Sequence, residues 1–149
     1  MEEDEYRQTY KTLTRVPCAF EKALTNKKAV CDFSRHFCLA QREGYACKSS
    51  SRAQICQYLL VSLREKARFS LKIQQAQNPL PHNMEIRVQA GGLQGLLATQ
   101  GKIPADALTD SIHDVVARAL QQYGSIEALP YGEIIQSITQ FKGRKRRQR

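Results

Sequence analysis

Residues 49–71 read SSSRAQICQYLLVSLREKARFSL. Ser49, Ser50 and Ser51 each offer a hydroxyl that can accept from the free N–H groups of a helix start. Cys56, Leu59, Leu60, Leu63, Ala67 and Leu71 then recur at the i, i+3, i+4, i+7 spacing of one helix face. Arg52, Arg64, Glu65, Lys66 and Lys72 occupy polar positions around that stripe. The pattern predicts a helix from the serines to about Gln75, ended by Asn78-Pro79-Leu80-Pro81. It sets the expected fold: a mainly α, small helical domain with one short extended element.

Toward the C-terminus, Met84, Ile86, Val88 and Ala90 alternate with Glu85, Arg87 and Gln89, which predicts a half-buried strand. Gly91-Gly92 is expected to break it, with Leu93, Leu96 and Leu97 forming one helical turn. Two further helices are predicted. Asp110 to Tyr123 carries Ile112, Val115, Val116, Ala119 and Tyr123 on one face, with Gly124 as stop. Tyr131 to Phe141 turns Ile134, Ile135, Ile138 and Phe141 inward. Toward the N-terminus, Pro17 precedes a short predicted helix, Ala19 to Asn26. Another is expected from Arg35 to Arg42, with Ser34 as cap and Gly44 as stop.

This divides the chain into a flexible N-terminus (1–15), a single helical domain (16–141) and a basic disordered tail (142–149). The domain comprises a cysteine-rich half (16–76) and a C-terminal helical half (84–141). Hydrophobic residues make up 42% and charged residues 25%, as in ordinary globular proteins. No run approaches the ~20 apolar residues of a membrane span. The start, Met1-Glu2-Glu3-Asp4-Glu5, is acidic, unlike a basic-then-apolar secretory signal. The expected location is therefore cytoplasmic, where clustered cysteines bind metal or do redox chemistry more often than they pair.

The formal charge of +9 is uneven: −1 over residues 1–26, +4 over 27–52, zero over 53–141 and +6 over 142–149. The cysteines share the second of these regions. Cys31, Cys38, Cys47 and Cys56 fall within 26 residues, against one cysteine, Cys18, in all the rest. The pattern splits into halves, Cys31…Ser34-Arg35…Cys38 and Cys47…Ser51-Arg52…Cys56, each with one cysteine before a predicted helix cap and one in the helix behind it. Thiolates are favoured at helix N-termini and beside cations. Arg35, Lys48 and Arg52 are the charge-balancing neighbours.

The four are therefore expected to be metal ligands. Structural zinc uses Cys pairs separated by two to four residues, and this chain has none. Longer separations suit a larger object, so an iron–sulfur cluster of the four-iron type (4Fe-4S) is the first choice of cofactor and zinc the alternative. The plainer alternative is that the cysteines pack as small hydrophobes. That fits Cys56 and Cys38 but not Cys31 and Cys47, which lie in polar, turn-like surroundings. Cys18 is assigned to the core.

Nothing points to a catalytic residue. His36 is read as a solvent-facing residue rather than a ligand, and His82 and His113 as surface or boundary residues. A Cys47/His36 nucleophile–base pair requires a proximity that sequence does not establish. Gly91-Gly92-Leu93-Gln94-Gly95 lacks the Gly-Lys-Ser/Thr ending of a phosphate loop. The tail offers Lys142, Arg144, Lys145, Arg146, Arg147 and Arg149 as polyanion contacts, with no aromatic residue interleaved for base stacking. The leading expectation is an iron–sulfur protein of electron transfer or redox sensing, working with a redox or regulatory protein partner. The other is a nucleic-acid-binding or regulatory module with a structural zinc site, touching nucleic acid or an acidic partner through the tail.

Overall fold

The computed structural model describes residues 1–73, 80–102 and 107–142. It is mainly helical with a two-stranded antiparallel sheet. The elements run α1 (Glu3–Leu13), α2 (Glu21–Thr25), β1 (Ser34–Leu39), β2 (Arg42–Cys47), α3 (Ser50–Ala67), α4 (His82–Thr99), α5 (Ile112–Tyr123) and α6 (Tyr131–Gln140). Among the described residues no helix is long and apolar enough to cross a membrane.

Helix α3 follows the reading of its sequence. Ser49 is the N-cap, its hydroxyl accepting from the Arg52 N–H, and Leu59, Leu60, Leu63 and Ala67 are buried. The regular helix stops at Ala67, earlier than expected. Lys72 has a left-handed φ of 54°. The predicted end at Gln75 to Pro79 lies outside the described residues. Helices α5 and α6 form close to their predicted limits, with Gly124 at a φ of +90° ending α5.

Two expectations are corrected. The strand predicted over Met84–Ala90 is instead the first half of α4, which continues through Gly91-Gly92 to Thr99. This helix is enclosed by its neighbours: Glu85, Val88, Gln89, Leu93 and Leu96 are all buried. Burial on several sides erases a one-face stripe, and the polar residues that imitated an alternating strand are themselves inside. The glycines serve contact rather than termination. A Cβ on Gly91 would lie 2.8 Å from the Ile138 Cα, and one on Gly95 2.8 Å from the Ile134 Cα. These positions, one turn apart, let α6 lie directly against the α4 backbone, while Gly92 faces Leu63 of α3.

Buried Glu85 accepts from Arg64 Nε (3.1 Å), the Leu80 N–H (3.0 Å) and the Gln89 amide (3.0 Å). Gln89 Oε1 accepts in turn from the Ala23 N–H (3.0 Å), so one polar network ties α2, α3 and α4 together.

The second correction concerns residues 34–47. The predicted Arg35–Arg42 helix is a β-hairpin, β1 pairing β2 from Ser34↔Cys47 to Leu39↔Arg42. Ser34 begins a strand and caps nothing helical, and Gly44 is a strand residue opposite Phe37. The Phe37 ring covers Gly44, and His36 packs on Tyr45 with ring centroids 5.0 Å apart. Such cross-strand pairs stabilise a sheet against local helix propensity. The turn places Ala40 and Gln41 at φ 50° and 66°, the left-handed pair of a tight two-residue hairpin. The hairpin is anchored to α2, because Glu21 accepts from the Tyr45 N–H (3.0 Å) and from the Tyr10 hydroxyl (2.5 Å). The polar N-terminal stretch contains α1, which buries no residue and stacks Tyr6 on Tyr10 beside Phe37.

Candidate metal centre

The hairpin decides where the cysteines go. Cys38 sits beside its turn, opposite Glu43, and is exposed. Cys47 ends β2 at the opposite end of the hairpin. Its backbone N–H donates to the Val16 carbonyl (2.8 Å), and Pro17 bridges to Ala46. The chain leading to Cys18 is thereby held along β2. Cys31 precedes β1; its carbonyl accepts from the Ser34 hydroxyl (2.7 Å), and the next N–H, of Asp32, donates to Ser111 at the head of α5 (2.9 Å). Cys56 lies in the second turn of α3.

Cys18, Cys31, Cys47 and Cys56 line a single cavity of about 100 Å³. All four are half-buried. The remaining wall is almost entirely apolar, including Phe20, Ala53, Ile112, Val116 and Leu120. The structure thus brings together three of the four cysteines singled out in the sequence, leaves Cys38 outside, and adds Cys18. The repeated cysteine–cap–helix motif holds only in its second half, where Cys47 precedes the Ser49 cap and Cys56 follows within α3.

Burial pushes the Cys18 thiol up to about 12; the neighbouring Phe20 N–H opposes the rise, and Cys56, Cys31 and Cys47 add to it. The Cys56 thiol is likewise pushed up to about 12 by burial, with further contributions from Cys31 and Cys47. Without a cation at their centre, these sulfurs are protonated and weakly nucleophilic at neutral pH. Cys47 differs in having two polar contacts: its Sγ–H donates to the Ser49 carbonyl (3.2 Å) and its sulfur accepts from the Ser49 N–H (3.5 Å).

Of the three expected charge-balancing cations, only Arg52 lines the cavity. Its guanidinium lies 4.0 Å from the Phe33 ring centroid, and its Nε donates to His113 Nδ1 (3.0 Å). Phe33 also meets His113 edge-on, with centroids 4.7 Å apart. His113, which the sequence marked as an ordinary boundary residue, therefore holds Arg52, the one cation among the described residues that lines this cavity. Arg35 and Lys48 line a separate cleft on the outer side of Cys47. His36 packs beside Tyr45 and Glu43 on the hairpin, away from the cavity. Lys142 is exposed; Arg144, Lys145, Arg146, Arg147 and Arg149 lie outside the described residues.

Among the described residues, no group of three or more His, Cys, Asp or Glu side chains is arranged to hold a metal ion. Four sulfurs at zinc's ~2.3 Å bond length lie only about 3.8 Å from one another. Comparison with known proteins finds no matching family model, no matching curated protein and no matching solved structure.

Proposed function

We propose that this is an iron–sulfur protein acting in electron transfer or redox sensing, with a four-iron centre held by Cys18, Cys31, Cys47 and Cys56. The observation that carries the proposal is the convergence of four thiols, from four separate segments, on one apolar cavity. Four cysteines are the ligand number that such a cluster takes. Ligands approaching from different directions suit an extended cluster better than a single ion.

The surroundings support the same chemistry. Four thiolates around a cluster make a net anion, and Arg52 supplies a fixed positive charge in the cavity wall. The Ser49 N–H beside Cys47 is a donor to sulfur, one of the contacts that tune cluster potentials. The apolar wall limits access of water. No catalytic residue is assigned: the thiols with raised values are poor nucleophiles, and among the described residues no histidine or carboxylate hydrogen-bonds to any of the four sulfurs.

Purification without oxygen, followed by an absorption spectrum and iron, sulfide and zinc analysis, tests this. Brown protein with iron and acid-labile sulfide in comparable amounts is expected. Colourless protein with stoichiometric zinc would replace the cluster with a zinc site, and folded metal-free protein would remove the centre.

A further inference from the structure

The basic C-terminus meets the fold at an open cleft of about 1100 Å³ that shares no residue with the thiol-lined cavity. The segment after α2, the start of α4 and the end of α6 form its walls. Lys28, Arg87 and Lys142 line it, with no carboxylate among the described lining residues. Lys28 and Arg87 are half-buried and held in place. The Lys28 N–H donates to the Ala23 carbonyl (2.9 Å) and its carbonyl accepts from the Leu108 N–H (2.8 Å). Its ammonium sits 5.9 Å from the centroid of the buried Phe141 ring. Arg87 donates from Nε to the Ile138 carbonyl (3.3 Å) and from Nη2 to the Thr139 carbonyl (2.5 Å), at the end of α6. Asn26, Asn83 and Gln140 add exposed side-chain amides, each able to donate and to accept.

We propose that this cleft, together with residues 142–149, binds the phosphate backbone of double-helical nucleic acid without regard to base sequence. The proposal does not rest on the iron–sulfur assignment. Lys142 is both part of the cleft wall and the first of six cations in eight residues, and no acid follows Glu133 in the sequence. Phosphates recur about every 3.4 Å along each strand of a duplex. One residue of chain spans at most ~3.3–3.6 Å, so cations at this density can meet successive phosphates. Four of the six are arginines, whose planar fork takes a phosphate through two hydrogen bonds. Lys28 and Arg87 extend the same footprint onto the fold, already oriented and with little side-chain freedom left to lose. A folded acidic protein presents a patch of carboxylates, which suits the cleft but not the dense row of cations beyond it. A membrane surface fits less well, because the apolar residues of the cleft are half-buried Ile86 and buried Phe141, with nothing exposed to insert. No exposed aromatic residue lines the cleft to stack unpaired bases, and a duplex carries the denser phosphate charge.

The test follows binding of the full chain to a fluorescent DNA duplex of mixed sequence by anisotropy, between about 50 and 200 mM salt. Thermal unfolding and iron content are measured on the same samples. Lys28→Gln/Arg87→Gln is compared with Arg15→Gln/Lys48→Gln, which removes the same charge at exposed positions outside the cleft. The cleft variant should bind about tenfold more weakly at the low-salt end, and its slope of log affinity against log salt should be shallower by about 2. The control should bind within about twofold of the wild type and keep its slope. Lys28→Gln/Lys142→Gln leaves the Arg87 bonds to α6 intact and carries the same expectation, so misfolding of the first variant does not rescue the proposal. Equal weakening by the cleft and control variants, wild-type binding by both cleft variants, or no duplex binding at all would overturn the site. So would tighter binding of a single-stranded oligomer, polyglutamate or phosphatidylserine vesicles than of the duplex. Iron-free protein with the expected duplex binding supports this site and removes the cluster; iron-loaded protein that ignores duplex does the reverse.

Discussion

The Cys47 backbone N–H donates to the Val16 carbonyl at 2.8 Å, and through this bond Cys18 and Cys47, far apart in sequence, come to line one cavity. The contact is the hinge of the candidate site. It lays the segment around Pro17 along β2, and β2 ends where α3 begins. Cys18, Cys47 and Cys56 are thereby positioned by three consecutive structural decisions, while the start of α5 pins Cys31 through Ser111.

The α4–α6 contact predicts opposite outcomes for two glycine substitutions. Gly95→Ala would put a methyl group 2.8 Å from the Ile134 Cα, against backbone that cannot turn aside. It should cost about 1–3 kcal/mol, the usual penalty of overpacking. Gly132→Ala, in α6 with no atom within 4 Å of the added carbon, should instead stabilise by roughly 0.5 kcal/mol through helix propensity. Chemical unfolding of the two variants measures both.

The buried Arg64–Glu85 pair predicts an acid-labile fold. Burial alone would raise the Glu85 carboxyl, but Arg64, the Leu80 N–H and Gln89 outweigh it and hold it below its ordinary 4.5. A lowered carboxyl gives stability that is complete above its unfolded value and is lost as pH falls through the folded one. Melting temperature should therefore decline below about pH 4.5. Glu85→Gln should cost about 3–5 kcal/mol at neutral pH, because Arg64 keeps its charge in the interior. A smaller loss in Arg64→Met/Glu85→Leu than in Glu85→Gln would show the cost to be the stranded charge.

The metal-free protein should lose stability at alkaline pH. The Cys18 and Cys56 thiols rise from an ordinary 9 to about 12 in the fold. Between those values the unfolded chain releases protons that the folded chain keeps, so stability falls as pH climbs above about 9. Replacing Cys56 with Ser removes one of the two groups and should flatten the decline of the unfolding midpoint between pH 8 and 10. Loading of the proposed cluster would work in the opposite direction, because metal binding to thiols requires thiolates and releases protons, so it should become more favourable as pH rises.

Much of the helical frame was legible because α3, α5 and α6 each bury one face. Helix α4 was not, because Glu85, Gln89 and three glycines inside a crowded core look like a polar, broken strand when read locally. The hairpin was hidden for a related reason: Ala40 and Gln41 lack the Asn-Gly signature of a tight turn, and Phe37 over Gly44 is a contact between strands. Three of the pocket cysteines stood out by local density. Cys18 did not, because its link to Cys47 is a backbone hydrogen bond across 31 residues from Val16, with no trace in spacing. His113 was missed for the same reason, since its partner Arg52 lies on another helix.

The ligand set is the central claim, and one experiment separates it from the alternatives: iron and acid-labile sulfide content, measured without oxygen, in the five single Cys→Ser variants. Cys18→Ser, Cys31→Ser, Cys47→Ser and Cys56→Ser should each lose most of the cluster, whereas Cys38→Ser should match the wild type, because Cys38 is exposed and lines no part of the cavity. Thermal unfolding of the same samples identifies a variant that loses iron merely by unfolding. A folded Cys18→Ser protein with full iron content, or a Cys38→Ser protein without iron, would contradict the assignment.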